Sequence, residues 1–161
     1  MPAANAKKKS ANKKLADHKK STAPGVAKAK TGKAAKPDFP AVFTALRQVL
    51  GPFQQELAVQ TDKPGNFHTE IPSILHRGKP LYFAGIRTGK NYVSFHLLPV
   101  YYSPELIKGM SPALKKRMQG KACFNFTVVD QECFAELKLL SAAGLKIFKS
   151  EKFRTMIQKM Q

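Results

Sequence analysis

The sequence predicts an α+β fold. The expected architecture is a two-layer domain with a mostly antiparallel sheet, helices packed on one face, and a basic tail in front. Between residues 38 and 161 the apolar spacing alternates between the helical period of about 3.6 and the strand period of about 2. A strong hairpin signal sits in the middle, with helical segments before and after it. All aromatic residues, 11 Phe and 4 Tyr, follow Lys36.

The chain has 161 residues and a formal net charge of +18. Residues 1–36 hold 11 Lys, no Arg and one acid, Asp17, a net +10. Residues 37–161 hold 17 basic and 9 acidic side chains, a net +8. The first segment is built from Lys, Ala, Ser, Thr, Gly and Pro, so folding it would bury too little to offset the lost chain entropy. Pro24, Gly25, Gly32 and Pro37 break any helix the alanines favour. Residues 1–37 are therefore expected to be a disordered Lys/Ala-rich tail, and residues 38–161 one folded domain. In composition, residues 26–37 (VAKAKTGKAAKP) are similar to the lysine-rich tails of linker histones and some bacterial nucleoid proteins.

Asp38 opens the first helix, with Pro40 in its first turn and Val42, Leu46, Val49, Leu50 and Phe53 on one stripe. Gly51 and Pro52 should bend or interrupt it. Residues 57–61 and 67–70 read as strands joined by a turn over 62–66. Residues 81–87 and 92–98 form the hairpin, with Gly89-Lys90 as a two-residue turn. That register sets Ile86 opposite Val93, Ala84 opposite Phe95 and Tyr82 opposite Leu97 on the covered face. Arg87, Tyr92, Phe83, His96, Ser94 and Gly85 then point the other way. Residues 103–110 are echoed by 111–118, each copy opening with Ser as N-cap and Pro at the first helical position. Two short helices are expected, stopped at Gly109 and Gly120. Residues 122–126 read as a strand with Ala122, Phe124 and Phe126 on one side, Cys123 and Asn125 on the other. Asp130 caps a helix carrying Phe134, Leu137 and Leu140, where Gly144 should either kink it or admit another backbone. A last helix places Phe153, Met156, Ile157 and Met160 on one stripe.

Several classes are excluded. No apolar run approaches the roughly 18 residues that cross a bilayer. The N-terminus lacks the apolar segment of a secretion signal and the arginines of a mitochondrial presequence. The expected compartment is the cytoplasm, with nucleoid association if the tail holds DNA. Cys123 and Cys133 form neither a disulfide framework nor a C-x-x-C pair, and each reads as a small buried hydrophobe.

The stretch KNYVSFHLLPVY at residues 90–101 resembles the YdhG-like domain family, small bacterial proteins of unknown function. So do SPALKKRMQGK at 111–121 and CFNF at 123–126, and with the helix from Asp130 the resemblance covers roughly residues 40–150. It implies a compact two-layer α+β body. One branch of that family is described as frataxin-like iron chaperones. For this chain, iron as a cargo would fall to the Glu132 and Glu136 pair, since hard iron ions prefer oxygen ligands. Their i, i+4 spacing equally suits the positive end of their own helix.

The reading of function is a non-enzymatic binding module. The tail lysines, Lys7, Lys8, Lys9, Lys13, Lys14, Lys19, Lys20, Lys28, Lys30, Lys33 and Lys36, would contact nucleic acid or another polyanion by releasing counterions. They read no base pattern, and no Phe, Tyr or Trp accompanies them to stack on a base. A tail that only solvates is the plain alternative. Lys115, Lys116 and Arg117, with Lys121, are a second basic cluster that would extend this footprint or complement their helix dipole. No lipid or apolar anchor points to a membrane. On the hairpin face, His96, Tyr92, Ser94 and Arg87, with Asn125 from a neighbouring strand, form a candidate site for a small polar or anionic ligand. The competing reading makes His96 a structural residue beside Phe83. Ser94 and His96 stand two apart on one strand and no nearby acid orients the imidazole, so no catalytic pair is expected. His68 and Glu70 share strand parity and His76 follows in a loop, but a metal site there lacks a third ligand. Residues 85–91 lack the spacing of a phosphate loop. No cofactor is expected, iron entering only with the chaperone alternative.

Overall fold

A computed structural model describes residues 37–160. Residues 1–36 of the expected tail, with its eleven lysines, lie outside the described residues. The described chain runs α1 (Phe39–Leu50), a 3-10 turn (Gly51–Phe53), β1 (Ala58–Lys63), β2 (Asn66–His76), β3 (Lys79–Thr88) and β4 (Val93–Leu97). It continues through α2 (Leu98–Tyr102), α3 (Glu105–Lys108), α4 (Pro112–Arg117), β5 (Met118–Gln119), β6 (Cys123–Phe126), α5 (Gln131–Lys149) and α6 (Glu151–Gln158). The six strands form one antiparallel sheet in the order β1-β2-β3-β4-β6-β5. The fold is α+β, as the alternating periods require.

Local chemistry sets most boundaries. The Asp38 carboxylate accepts from the Ala41 amide and starts α1, and Gly51-Pro52 turns its end into the 3-10 turn. The Asp130 carboxylate accepts from the Cys133 amide and starts α5. Ser111 caps α4 through the Leu114 amide. Its counterpart Ser103 does not cap. It is buried at the end of α2, donating its own amide to the Pro99 carbonyl, and α3 shrinks to a single turn. The echo therefore repeats in sequence without repeating in structure. α4 stops at Arg117, and Gly120, with φ +68°, turns the chain from β5 into β6.

The core lies between one sheet face and the helices. Val42, Leu46, Val49 and Leu50 of α1 and Phe134, Leu137 and Phe148 of α5 are buried with Phe67, Ile86, Phe95, Phe124 and Phe126 of the strands. Phe148 and Phe153 stack at 4.0 Å, and Tyr102 meets both edge-on. The strand expected to run to residue 98 ends at Leu97, and the chain turns helical at Leu98. Pro99 lacks the amide a strand ladder needs and suits a first helical turn. α5 runs unbroken through Gly144, and a Cβ there would lie 2.5 Å from Pro99 Cβ. Gly144 thus admits a neighbour and introduces no kink.

The strands correct three expectations. β2 runs on to His76, Pro72 being absorbed where the β2–β3 register shifts between Ile71 and Leu75. The β3–β4 hairpin pairs Thr88 with Val93, Ile86 with Phe95 and Ala84 with Leu97, two residues away from the expected register. Its connection spans four residues, closed by the Gly89 amide donating to the Tyr92 carbonyl at 2.8 Å. The shift is even, so those residues keep their faces. Tyr82 and Phe83 do not. Phe83 is an extra residue in β3, between the pairs Thr69–Ala84 and Glu70–Tyr82. Leu81 and Phe83 are buried, and so are Ala84 and Ile86. Strict alternation can bury one of these pairs but not both, and the bulge at Phe83 buries both. Phe83 therefore packs edge-on to Phe148 in the core, and Tyr82 turns to the opposite face.

The Gly144 contact generates a test. Alanine in place of a mid-helix glycine ordinarily stabilises by roughly 0.5–1 kcal/mol. Here Gly144→Ala is expected to destabilise by about 1–3 kcal/mol, because the new methyl must displace α2. Urea unfolding checks it, and a stability equal to or above wild type contradicts the packing.

Candidate functional site

The sheet face away from the core presents polar side chains in cross-strand rows. One row runs Asn66, Arg87, Ser94, Asn125; the next runs His68, Gly85, His96, Cys123. A cleft of about 480 Å³ opens on this face. Asn66, His68, Tyr82, Gly85, Arg87, Tyr92, Ser94 and His96 line it, and no carboxylate does.

Gly85 is one of the lining residues. A Cβ there would lie 2.5 Å from the Tyr82 hydroxyl and 3.1 Å from the Phe67 carbonyl oxygen. Glycine leaves this space to the Tyr82 ring, which sits between His68 at 4.9 Å and His96 at 5.2 Å, tilted to both. Burial pushes the Tyr82 hydroxyl well above the usual phenol range, with the Cys123 thiolate charge adding to it. Burial also pushes the His96 imidazole below its ordinary value, favouring the neutral ring. The Cys123 thiol is raised by burial, against an opposing hydrogen bond with Ser94. His68 Nε2 lies 3.4 Å from Glu70 Oε1. The side chains combine two phenol rings, two imidazoles, an amide, a hydroxyl and one guanidinium. Such a set can stack on a flat group and pair with a negative one.

Four of the five residues expected to bind a ligand, His96, Tyr92, Ser94 and Arg87, meet at this cleft. The fifth, Asn125, pairs with Ser94 in the sheet but stands outside the lining, and its Oδ1 is buried without a hydrogen-bond partner. His96 lies against Tyr82, not Phe83, because the bulge exchanges those two rings. Tyr82, His68 and Asn66 were missed as ligand-facing residues. The adjacent apolar pairs ending at Phe83 and beginning at Ala84 were the available signal for Tyr82. His76 pairs with Lys79 at the far end of β2, away from the cleft. Cys133 is buried as expected, its thiol pushed up to about 11 chiefly by burial. Cys123 instead sits half-buried on the open face.

The other expected residues have different partners. Both Glu136 oxygens accept from Ser111, one from its amide and one from its hydroxyl, each at 2.6 Å. Glu136 thus supports the N-terminus of α4, not that of its own helix, while Glu132 is exposed in the first turn of α5. Among the described residues, no group of three His, Cys, Asp or Glu side chains is placed to hold a metal ion. Arg117 is only half-buried, pairs with Asp130 at 3.1 Å and lies over the Phe126 ring, so it does not join an exposed basic cluster. Burial raises the Asp130 carboxyl, but hydrogen bonds from Cys133 and Arg117 outweigh this and hold it below its usual value. Lys115 and Lys116 are exposed in the last turn of α4. No helix among the described residues is long and apolar enough to cross a membrane.

Comparison with protein-family models, curated proteins and solved structures finds no match to this chain.

The His96 environment makes stability pH-dependent with a definite sign. The folded imidazole titrates below its ordinary value of 6.5, so the unfolded chain binds more protons between the two values. Stability from this group is complete above the ordinary value and is lost as pH falls through the lowered one. His96→Gln is expected to flatten the decline that sets in as pH falls below 6.5, read by chemical unfolding across that range. An unchanged decline contradicts the buried neutral ring.

Proposed function

We propose that this chain is a non-enzymatic binding protein. Its N-terminal lysines hold nucleic acid without reading sequence, and a YdhG-like body supplies a ligand cleft. The observation that carries this reading is the segregation of charge: +10 in residues 1–36, without one Phe, Tyr or Trp. Each lysine brought to a phosphate releases condensed counterions, which is a sequence-neutral attraction.

The body supports the same reading. Several of its acids are engaged within the fold: Glu56 with Lys149, Asp62 with Arg47, Asp130 with Arg117, and Glu136 with Ser111. With 17 basic against 9 acidic side chains in residues 37–161, a positive surplus remains toward solvent. The Arg87 guanidinium in the cleft lining suits an anionic ligand. The proposed setting is the cytoplasm, at the nucleoid.

The test replaces the eleven N-terminal lysines by glutamine in the full chain and measures retention on duplex DNA and on RNA. Wild-type affinity is expected to fall by about a thousandfold or more between ~50 and ~200 mM salt if six or more lysines reach phosphates. The variant should lose most low-salt binding and most of the salt slope. Equal binding by both proteins rejects the lysine role.

A further inference from the structure

We infer that the open-face cleft holds one unpaired nucleotide of a single strand, with its base on Tyr92 and His96 and its phosphate on Arg87. This rests on the nucleic-acid reading above and adds what the lysines lack, a place for a base. An antiparallel sheet with helices on one face and rings on the other is a form that single strands use, because unstacked bases lie flat on exposed rings.

Four features of the cleft fit a nucleotide. Tyr92 is a large exposed ring in the lining, 43 % accessible, and the Tyr82 and His96 rings, 5.2 Å apart, line the same cleft. Asn66 and Ser94 offer both donors and acceptors for a base edge. Arg87 is exposed between them in the same cross-strand row and supplies the planar cation that matches a phosphate. The volume, about 480 Å³, falls within the range of small-molecule sites, roughly 300–1,000 Å³.

The occupant is a strand and not a free nucleotide because of charge. One nucleotide offers a single phosphate group to Arg87, whereas a strand also meets the surplus charge of the body and the N-terminal lysines. A duplex does not fit, since its paired bases keep their faces in the stack.

The test uses the full chain at a salt concentration where lysine-dependent duplex binding is lost. A labelled oligothymidylate is compared with an abasic strand of equal length, with a duplex and with thymidine monophosphate. Wild type should hold the oligothymidylate about tenfold more tightly than the abasic strand or the duplex. Tyr92→Ala should erase that preference and Tyr92→Phe should keep it, both with unchanged far-ultraviolet circular dichroism. Arg87→Gln should weaken the oligothymidylate and the abasic strand alike. A wild type that does not distinguish thymidylate from abasic strand overturns the inference. So does a Tyr92→Ala protein that keeps the preference, or, at ~50 mM salt where the charges still act, displacement by thymidine monophosphate at the same nucleotide concentration as the strand. The two readings fail separately. The glutamine-substituted chain tests the lysines on duplex DNA, where the cleft takes no part, and the abasic comparison tests the cleft where the lysines are screened.

Discussion

One extra residue in β3 determines what the uncovered face of this sheet can do. Leu81 and Phe83 belong to one strand parity, Ala84 and Ile86 to the other, and all four are buried. Burying an aromatic or aliphatic side chain is worth about 1.5–3 kcal/mol, so leaving either pair in water would be costly for a domain of this size. The bulge at Phe83 satisfies both pairs. Its by-product is Tyr82, whose hydroxyl would need a partner in the core and instead lies on the open face over Gly85. The bulge and the glycine are two parts of one arrangement. Without the bulge the ring would point inward; with a Cβ at residue 85 it would have no place to lie.

Much of the fold was legible because it rests on local rules. Asp38, Ser111 and Asp130 cap helices through their own side chains, and the stripe Phe134, Leu137, Leu140 is buried as its spacing requires. What was illegible depends on partners distant in sequence. Ser103 has the same Ser-Pro signature as Ser111, yet it is already used at the end of α2. The hairpin connection is four residues long although Gly89-Lys90 suits a shorter one. The longer loop lets β3 extend to Thr88, whose amide donates to Gly65 of the β1–β2 turn. Gly144 signalled a close approach, but only the packed structure shows that Pro99 fills it.

The candidate site was legible on the strands where alternation holds and obscure where it breaks. His96, Ser94 and Arg87 lie on regular pairs and point where parity places them. Tyr82 lies beside the bulge and was assigned to the wrong face. Charge was a coarser guide. Counting Lys115, Lys116 and Arg117 as one cluster ignored that Arg117 belongs to Asp130 and Phe126, an attachment that neither charge nor spacing reveals.

The orientation of two neighbouring rings tests this account most directly. In nuclear Overhauser spectra of the full chain, Tyr82 ring protons should show cross-peaks to His68 and His96, and Phe83 ring protons to Phe148. A strand without the bulge would reverse the pattern, with Tyr82 among the core resonances of Leu97 and Phe83 against His96. That result would remove the floor of the cleft and contradict the account.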